Sequence, residues 1–132
     1  LHPLVAPALR LSEMYLIAAE ASMKLGDNAK AANYMNVVRS RAALPGQTSA
    51  MQVKASDMTL DFILDERARE FVFEGIRRYD LMRWGIYLQV MNKIGIGQNN
   101  ITKVRNTRNL LLPIPQSELN SNTLIPSNNP GW

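Results

Sequence analysis

Three glutamates, Glu66, Glu70 and Glu74, recur at i, i+4 and i+8. That spacing sets their carboxylates along one ridge of a helix. Such a row could bind a cation, or serve as general acid and base. A cation site needs further ligands converging from a second element, and the one histidine is His2, at the start of the chain. The absence of cysteine removes thiolate ligands, cysteine nucleophiles and disulfides together. Arg67 and Arg69 stand among the glutamates, and Arg77, Arg78, Asp80 and Arg83 follow beyond Gly75. Residues 60–84 thus hold six acidic side chains and five arginines. Near-equal supplies of carboxylate and guanidinium on adjacent helices favour bidentate pairs that fix packing. Ion-pair networks of this kind are commoner than catalytic clusters. The expectation is therefore a structural motif made of Glu66, Arg67, Glu70, Glu74, Gly75, Arg77, Asp80, Arg83 and Trp84, with no catalytic residue, metal or cofactor.

Tyr79, Trp84 and Tyr87 supply flat rings of the kind that stack on sugars. Trp84 shares a helical face with Leu81 and Leu88, so it is assigned to the core. The chain has no G-x-S-x-G elbow, phosphate-binding P-loop or H-E-x-x-H pair. Gly95-Ile96-Gly97 lacks the following helix that a phosphate site requires. A binding or scaffold protein is expected, and a hydrolase built on carboxylates alone is the catalytic alternative.

These side chains must be positioned by a chain of 132 residues, enough for one domain with its own core. Its 46% hydrophobic and 20% charged composition is that of a globular protein. The formal charge is +4, and Lys103, Arg105 and Arg108 supply much of the excess in a polar stretch. Three cations in a loop are not the basic stripe that nucleic acid needs. The longest apolar runs fall far short of a membrane span, and residues 1–10 do not resemble a signal peptide.

Helical periodicity organises the rest. Leu11, Met14, Tyr15, Ala18, Ala21, Ser22 and Leu25 form one helical face. Gly26 ends that helix, and Asp27 or Asn28 caps the next. The second helix repeats the period at Ala31, Ala32, Met35, Val38 and Ala42, and Pro45-Gly46 closes it. The short link makes the pair an antiparallel hairpin. Tyr15, Ala19, Gly26-Asp27, Ala31 and Pro45 give it a partial tetratricopeptide resemblance, and such a unit needs neighbours to cover it. Residues 46–58 read as a loop with at most a short turn. Thr59 caps a third helix that buries Leu60, Ile63, Leu64, Ala68, Phe71 and Val72. After Gly75 a fourth helix carries Leu81, Trp84, Leu88 and Met91. Residues 1–8 and 95–109 read as extended lead-in and loop, and 110–115 as an extended segment closed by prolines. The tail 116–132 has no periodicity and should be pinned at Leu119, Leu124 and Trp132. The fold class is all-α, tetratricopeptide-like helical hairpins with a long irregular C-terminal tail.

Three segments in fixed order resemble the C-terminal part of the SusD/RagB family of outer-membrane nutrient-binding lipoproteins. The first matches at Arg10, Glu13, Leu16, Ala19, Glu20, Ala21, Gly26, Asp27, Ala31, Asn36, Arg39, Arg41 and Ala42. The second, ERAREFVFEGIRRYDLMRWG, matches at Glu66, Arg67, Glu70, Glu74, Gly75, Arg77, Asp80, Leu81, Arg83, Trp84 and Gly85. The third matches at Leu112, Pro113, Ile114, Pro115, Glu118, Asn129, Pro130, Gly131 and Trp132, the last in place of the family's commoner tyrosine. The resemblance implies a non-catalytic glycan or nutrient receptor on the extracellular face of the outer membrane. It also implies an N-terminal lipid anchor and delivery of ligand to a SusC-type TonB-dependent transporter. Family members are several times longer, so residues 1–132 are expected to be a C-terminal helical domain of a longer chain. The matched motifs are scaffold motifs, and no ligand-binding residue follows from them. The alternative reading is a helical-repeat module that binds another protein.

Overall fold

The computed structural model describes residues 9–94 and 104–132. The lead-in at 1–8, Gly95-Ile96-Gly97 and Lys103 lie outside the described residues. The described secondary structure is helical throughout, in keeping with the all-α expectation. The chain divides into two compact units, Leu1–Arg77 and Arg78–Trp132.

In the first unit, α1 (Leu11–Lys24) and α2 (Asn28–Ala42) are joined by a turn at Gly26. The Asp27 carboxylate caps α2 by accepting from Lys30 N at 3.0 Å, satisfying an amide that has no partner within the helix. Leu16, Ala19, Ala31 and Met35 are wholly buried, and Ala32 and Val38 nearly so. α4 (Leu60–Glu70) adds Ile63 to this cluster, with Phe71 just past its end and Met58 just before it. Each of the large side chains contributes roughly 2 kcal/mol by leaving water. Thr59 caps α4 through Oγ1, which accepts from Phe62 N at 3.2 Å.

The α2 face is the expected one, except that Ala42 is exposed. The α1 face is not. Ser12, Leu16, Ala19, Glu20 and Ser22 are buried, whereas Leu11, Met14, Ala21 and Leu25 face solvent. α1 is apolar around most of its circumference, so periodicity alone admits two faces, and packing on α2 and α4 selects the other one. Val72 also departs from expectation. α4 stops at Glu70, so Val72 leaves the helical register and is exposed.

Residues 46–58 are more ordered than a loop with one turn. They contain α3 (Thr48–Met51) and a 3₁₀ turn, Ala55–Asp57. Asn36 holds this segment: its side-chain amide donates to Val53 O at 3.0 Å and its carbonyl accepts from Val53 N at 2.8 Å.

The second unit contains most of α5 (Ile76–Arg83), then α6 (Tyr87–Ile94). The expected single fourth helix is therefore two. Gly85, at φ 72°, lies in the left-handed region that L side chains rarely adopt, and it breaks the helix after Trp84. Leu81 and Tyr87 are buried, whereas Trp84, Leu88 and Met91 are half-buried. A 3₁₀ turn follows at Thr107–Leu110, and the segment 111–115 is extended as expected. The tail is not wholly irregular, because Pro115 opens α7 (Gln116–Ser121). Six residues are too few to show a periodicity. The tail is pinned at Trp132, whose Nε1 donates to Arg108 O and Leu111 O at 3.1 and 3.2 Å. Leu119 is half-buried, and Leu124, at 88% exposure, pins nothing. Asn92 and Asn128 repeat the Asn36 device, each bonding both backbone groups of one remote residue, Arg105 and Ile114 respectively.

Candidate functional site

α4 projects Glu66 and Glu70 one turn apart, and Glu74 follows in the turn before α5. All three meet arginines. Glu66 Oε2 accepts from Arg39 Nη1 at 2.6 Å, and from Arg69 Nε and Nη2 at 3.2 and 2.7 Å. Glu70 Oε1 pairs with Arg10 Nη1 at 3.1 Å and also receives Arg41 Nη2. Arg10 grips Glu74 with two bonds, Nε to Oε2 at 3.1 Å and Nη2 to Oε1 at 2.9 Å. The same Nη2 also donates to Glu70 O at 2.7 Å. This is the fork geometry that makes guanidinium–carboxylate pairs directional.

Aromatic rings lie under the cations. The Arg10 and Arg67 guanidiniums stand 5.0 and 5.2 Å from the centroid of Phe71, and Arg39 stands 5.7 Å from that of Phe62. Arg67 is 3% exposed, with Nη2 3.9 Å from Glu13 Oε1. Four of these partners, Arg10, Glu13, Arg39 and Arg41, come from the first hairpin. Local spacing could not reveal them, because the pairs span from 27 to 64 residues of chain. The available signal was the motif match at these same four positions.

The remaining predicted residues form separate contacts. Arg77 donates to Leu64 O at 2.7 Å, a carbonyl and not a carboxylate. In the second unit Asp80, 2% exposed, accepts from Arg83 Nε at 3.1 Å, and the Arg83 guanidinium lies 5.4 Å from the Trp84 ring. Gly75 has φ 75° and forms the bend before α5. Of the candidate stacking rings, Tyr87 is buried and its hydroxyl accepts from Arg78 Nη1 at 2.6 Å. Tyr79 is 71% exposed.

Described residues of the first unit line at least two clefts. One, of about 400 Å³, is lined by Leu11, Tyr15, Val37 and Val38 with Arg10, Ser12 and Arg41 around them. The other, of about 460 Å³, lies beside the ion pairs, lined by Arg39, Met51, Phe62, Glu66, Arg69 and Glu70 among others. Among the described residues no group of histidine, aspartate and glutamate side chains is arranged to hold a metal ion. Glu66 and Glu70 are each directed at guanidiniums from two arginines.

The SusD family pattern matches residues 5–132. The chain is 39% identical over 120 residues to the SusD-like protein P25 of Formosa agariphila, covering 88% of this chain and 22% of that protein. It is 35% identical over 133 residues to SusD-like protein P2 of the same organism, covering 94% of this chain and 25% of that one. It is 36% identical over 126 residues to the starch-binding protein SusD of Bacteroides thetaiotaomicron, covering 92% and 21%. The chain thus spans about a fifth to a quarter of the length of these relatives. No solved structure gives a significant match.

Proposed function

Because the chain belongs to the SusD family, we propose that it is the C-terminal helical part of a longer, non-catalytic receptor for glycans or other nutrients. The match over nearly the whole chain carries this reading, and the relative named as a starch-binding protein supports the ligand class. In this reading the receptor sits on the extracellular face of the outer membrane. It is held there by a lipid anchor outside these residues and passes its ligand to a SusC-type TonB-dependent transporter. Among the described residues no helix is long and apolar enough to cross a membrane.

Within that receptor, Glu66, Arg67, Glu70 and Glu74 act as a brace of the first unit, where Arg77 ties the chain beyond Gly75 to Leu64 O, while Asp80, Arg83 and Trp84 make a separate local contact in the second unit. The crossing of pairs from α4 and the following turn to Arg10, Arg39 and Arg41 supports this role. The test is calorimetric titration of the product of the complete reading frame against a panel of glycans, with product analysis alongside. Saturable binding without turnover is expected. Turnover abolished by Glu70→Gln would instead establish a carboxylate hydrolase.

A further inference from the structure

The net charge of the chain is not shared between its two units. By sequence, Leu1–Arg77 carries nine basic and nine acidic side chains, whereas Arg78–Trp132 carries six basic and two acidic ones. The whole excess of +4 therefore belongs to the second unit. One of its two acids, Asp80, is buried and accepts from Arg83, and the other is Glu118. Arg78 turns its guanidinium to uncharged oxygens, the Tyr87 hydroxyl and Asn109 O. Among the described residues Lys93, Arg105 and Arg108 have no carboxylate partner either. Lys93 and Arg108 are exposed and Arg105 is half-buried.

The fold gathers these three cations at the 3₁₀ turn Thr107–Leu110. The Asn92 side chain bonds both backbone groups of Arg105, at 3.0 and 2.7 Å. That pairing brings Lys93, the next residue of α6, to the start of the turn. Arg108 follows within the turn itself. Its guanidinium stands 4.6 Å from the centroid of Trp132, whose ring is 46% exposed. The frame is held by the Asn92 amide and the Trp132 indole N–H. The Lys93 and Arg105 side chains take no part in holding it.

We propose that Lys93, Arg105 and Arg108, with the Trp132 ring beside them, bind an acidic glycan, one that bears uronate carboxylates or sulfate esters. Guanidinium forks and an ammonium suit both anions. Cations left without acidic neighbours sum to a positive field that draws a polyanion. The half-exposed indole adds a flat apolar surface for a sugar face. Nucleic acid is the poorer fit, because one 3₁₀ turn and the eight-residue α6 offer no element that enters a groove and no row of stacking rings. The inference rests on the reading of the chain as part of a glycan receptor, and it adds the charge of the ligand.

The test is titration of the product of the complete reading frame with three oligosaccharides of matched length: galacturonate, chondroitin sulfate and a neutral malto-oligosaccharide. At least one acidic ligand is expected to bind roughly tenfold or more tighter than the neutral one, and to weaken as salt rises. The double variant Lys93→Gln, Arg105→Gln removes two cations that make no described side-chain bond. It should lose at least about fivefold in affinity for that ligand, with an unchanged circular dichroism spectrum. Lys30→Gln, at an exposed position of the first unit, should change affinity by less than about twofold. Whichever acidic ligand binds tighter identifies the anion. Neutral and acidic ligands bound equally, or an equal loss in Lys30→Gln, would overturn the inference and leave the receptor reading standing. Duplex DNA bound as tightly as the acidic glycan, and lost in the same double variant, would reduce the group to a general polyanion site and also overturn it. No binding of any glycan, neutral or acidic, would instead overturn the receptor reading, and this inference with it.

Discussion

Replacing Glu66 by alanine removes the acceptor that Arg39 and Arg69 share. The two halves of this loss differ in size. Arg69 is 57% exposed and pairs with Glu66 at i,i+3, so its share is about 0.5 kcal/mol or less. Arg39 is 16% exposed and Glu66 9%. Removing one partner of a buried pair costs about 3–5 kcal/mol. Arg39 keeps its Nε bond to Met51 O at 2.6 Å and its place over Phe62, and it retains some contact with water, which lowers that share to about 2 kcal/mol. Glu66→Ala should therefore cost about 2–3 kcal/mol, a fall in Tm of roughly 5–10 °C for a chain of this size. Both tryptophans lie in the second unit, so far-ultraviolet circular dichroism, not fluorescence, should follow the transition. Arg69→Ala should cost no more than about 0.5 kcal/mol, and a double-mutant cycle should give an Arg39–Glu66 coupling of about 1–2 kcal/mol. A Glu66→Ala cost equal to that of Arg69→Ala, with coupling below about 0.5 kcal/mol, would refute the reasoning.

Three further outcomes follow from single residues. Asn36→Ala removes both bonds to Val53 and should cost about 1–2 kcal/mol, with faster hydrogen exchange confined to residues 46–58; unchanged exchange there would contradict it. Phe73 holds φ 65° with its ring fully exposed, so Phe73→Gly should raise the stability of this chain by about 1 kcal/mol, and a loss of stability in chemical denaturation would count against it. Gly131→Ala would place a Cβ 2.8 Å from that of Arg108 and should release the tail, shifting Trp132 emission to the red in a Trp84→Phe background; an unshifted spectrum would show that the tail accommodates the change.

The elements that local rules govern were legible in the sequence. The caps at Asp27 and Thr59 were readable because a capping bond spans three residues, and the buried face of α2 because only one side of that helix is apolar. The covered side of α1 was only partly legible, because apolar residues occupy nearly its whole circumference and only the position of α2 and α4 decides which side is covered. The break at Gly85 competed with a continuous apolar period through Leu88. The hardest feature was the partnership of the glutamates. Their charge balance with nearby arginines pointed to pairing, yet Arg69 was the one near arginine that Glu66 and Glu70 take among the described contacts. Arg10, Arg39 and Arg41 reach them only because the first hairpin folds onto α4. Proximity in space, and not spacing in the chain, chose those partners.

In the reading proposed above, the ion pairs of Glu66, Glu70 and Glu74 brace the first unit and do not touch the ligand. It is tested most directly by measuring, in the product of the complete reading frame, both Tm and glycan affinity for Glu66→Ala and Arg39→Ala, with titrations run well below the melting transition. A clear fall in Tm is expected for each variant, with affinity for the best glycan held within about twofold. Unchanged Tm with affinity lost would contradict it and move the ion pairs into the binding site.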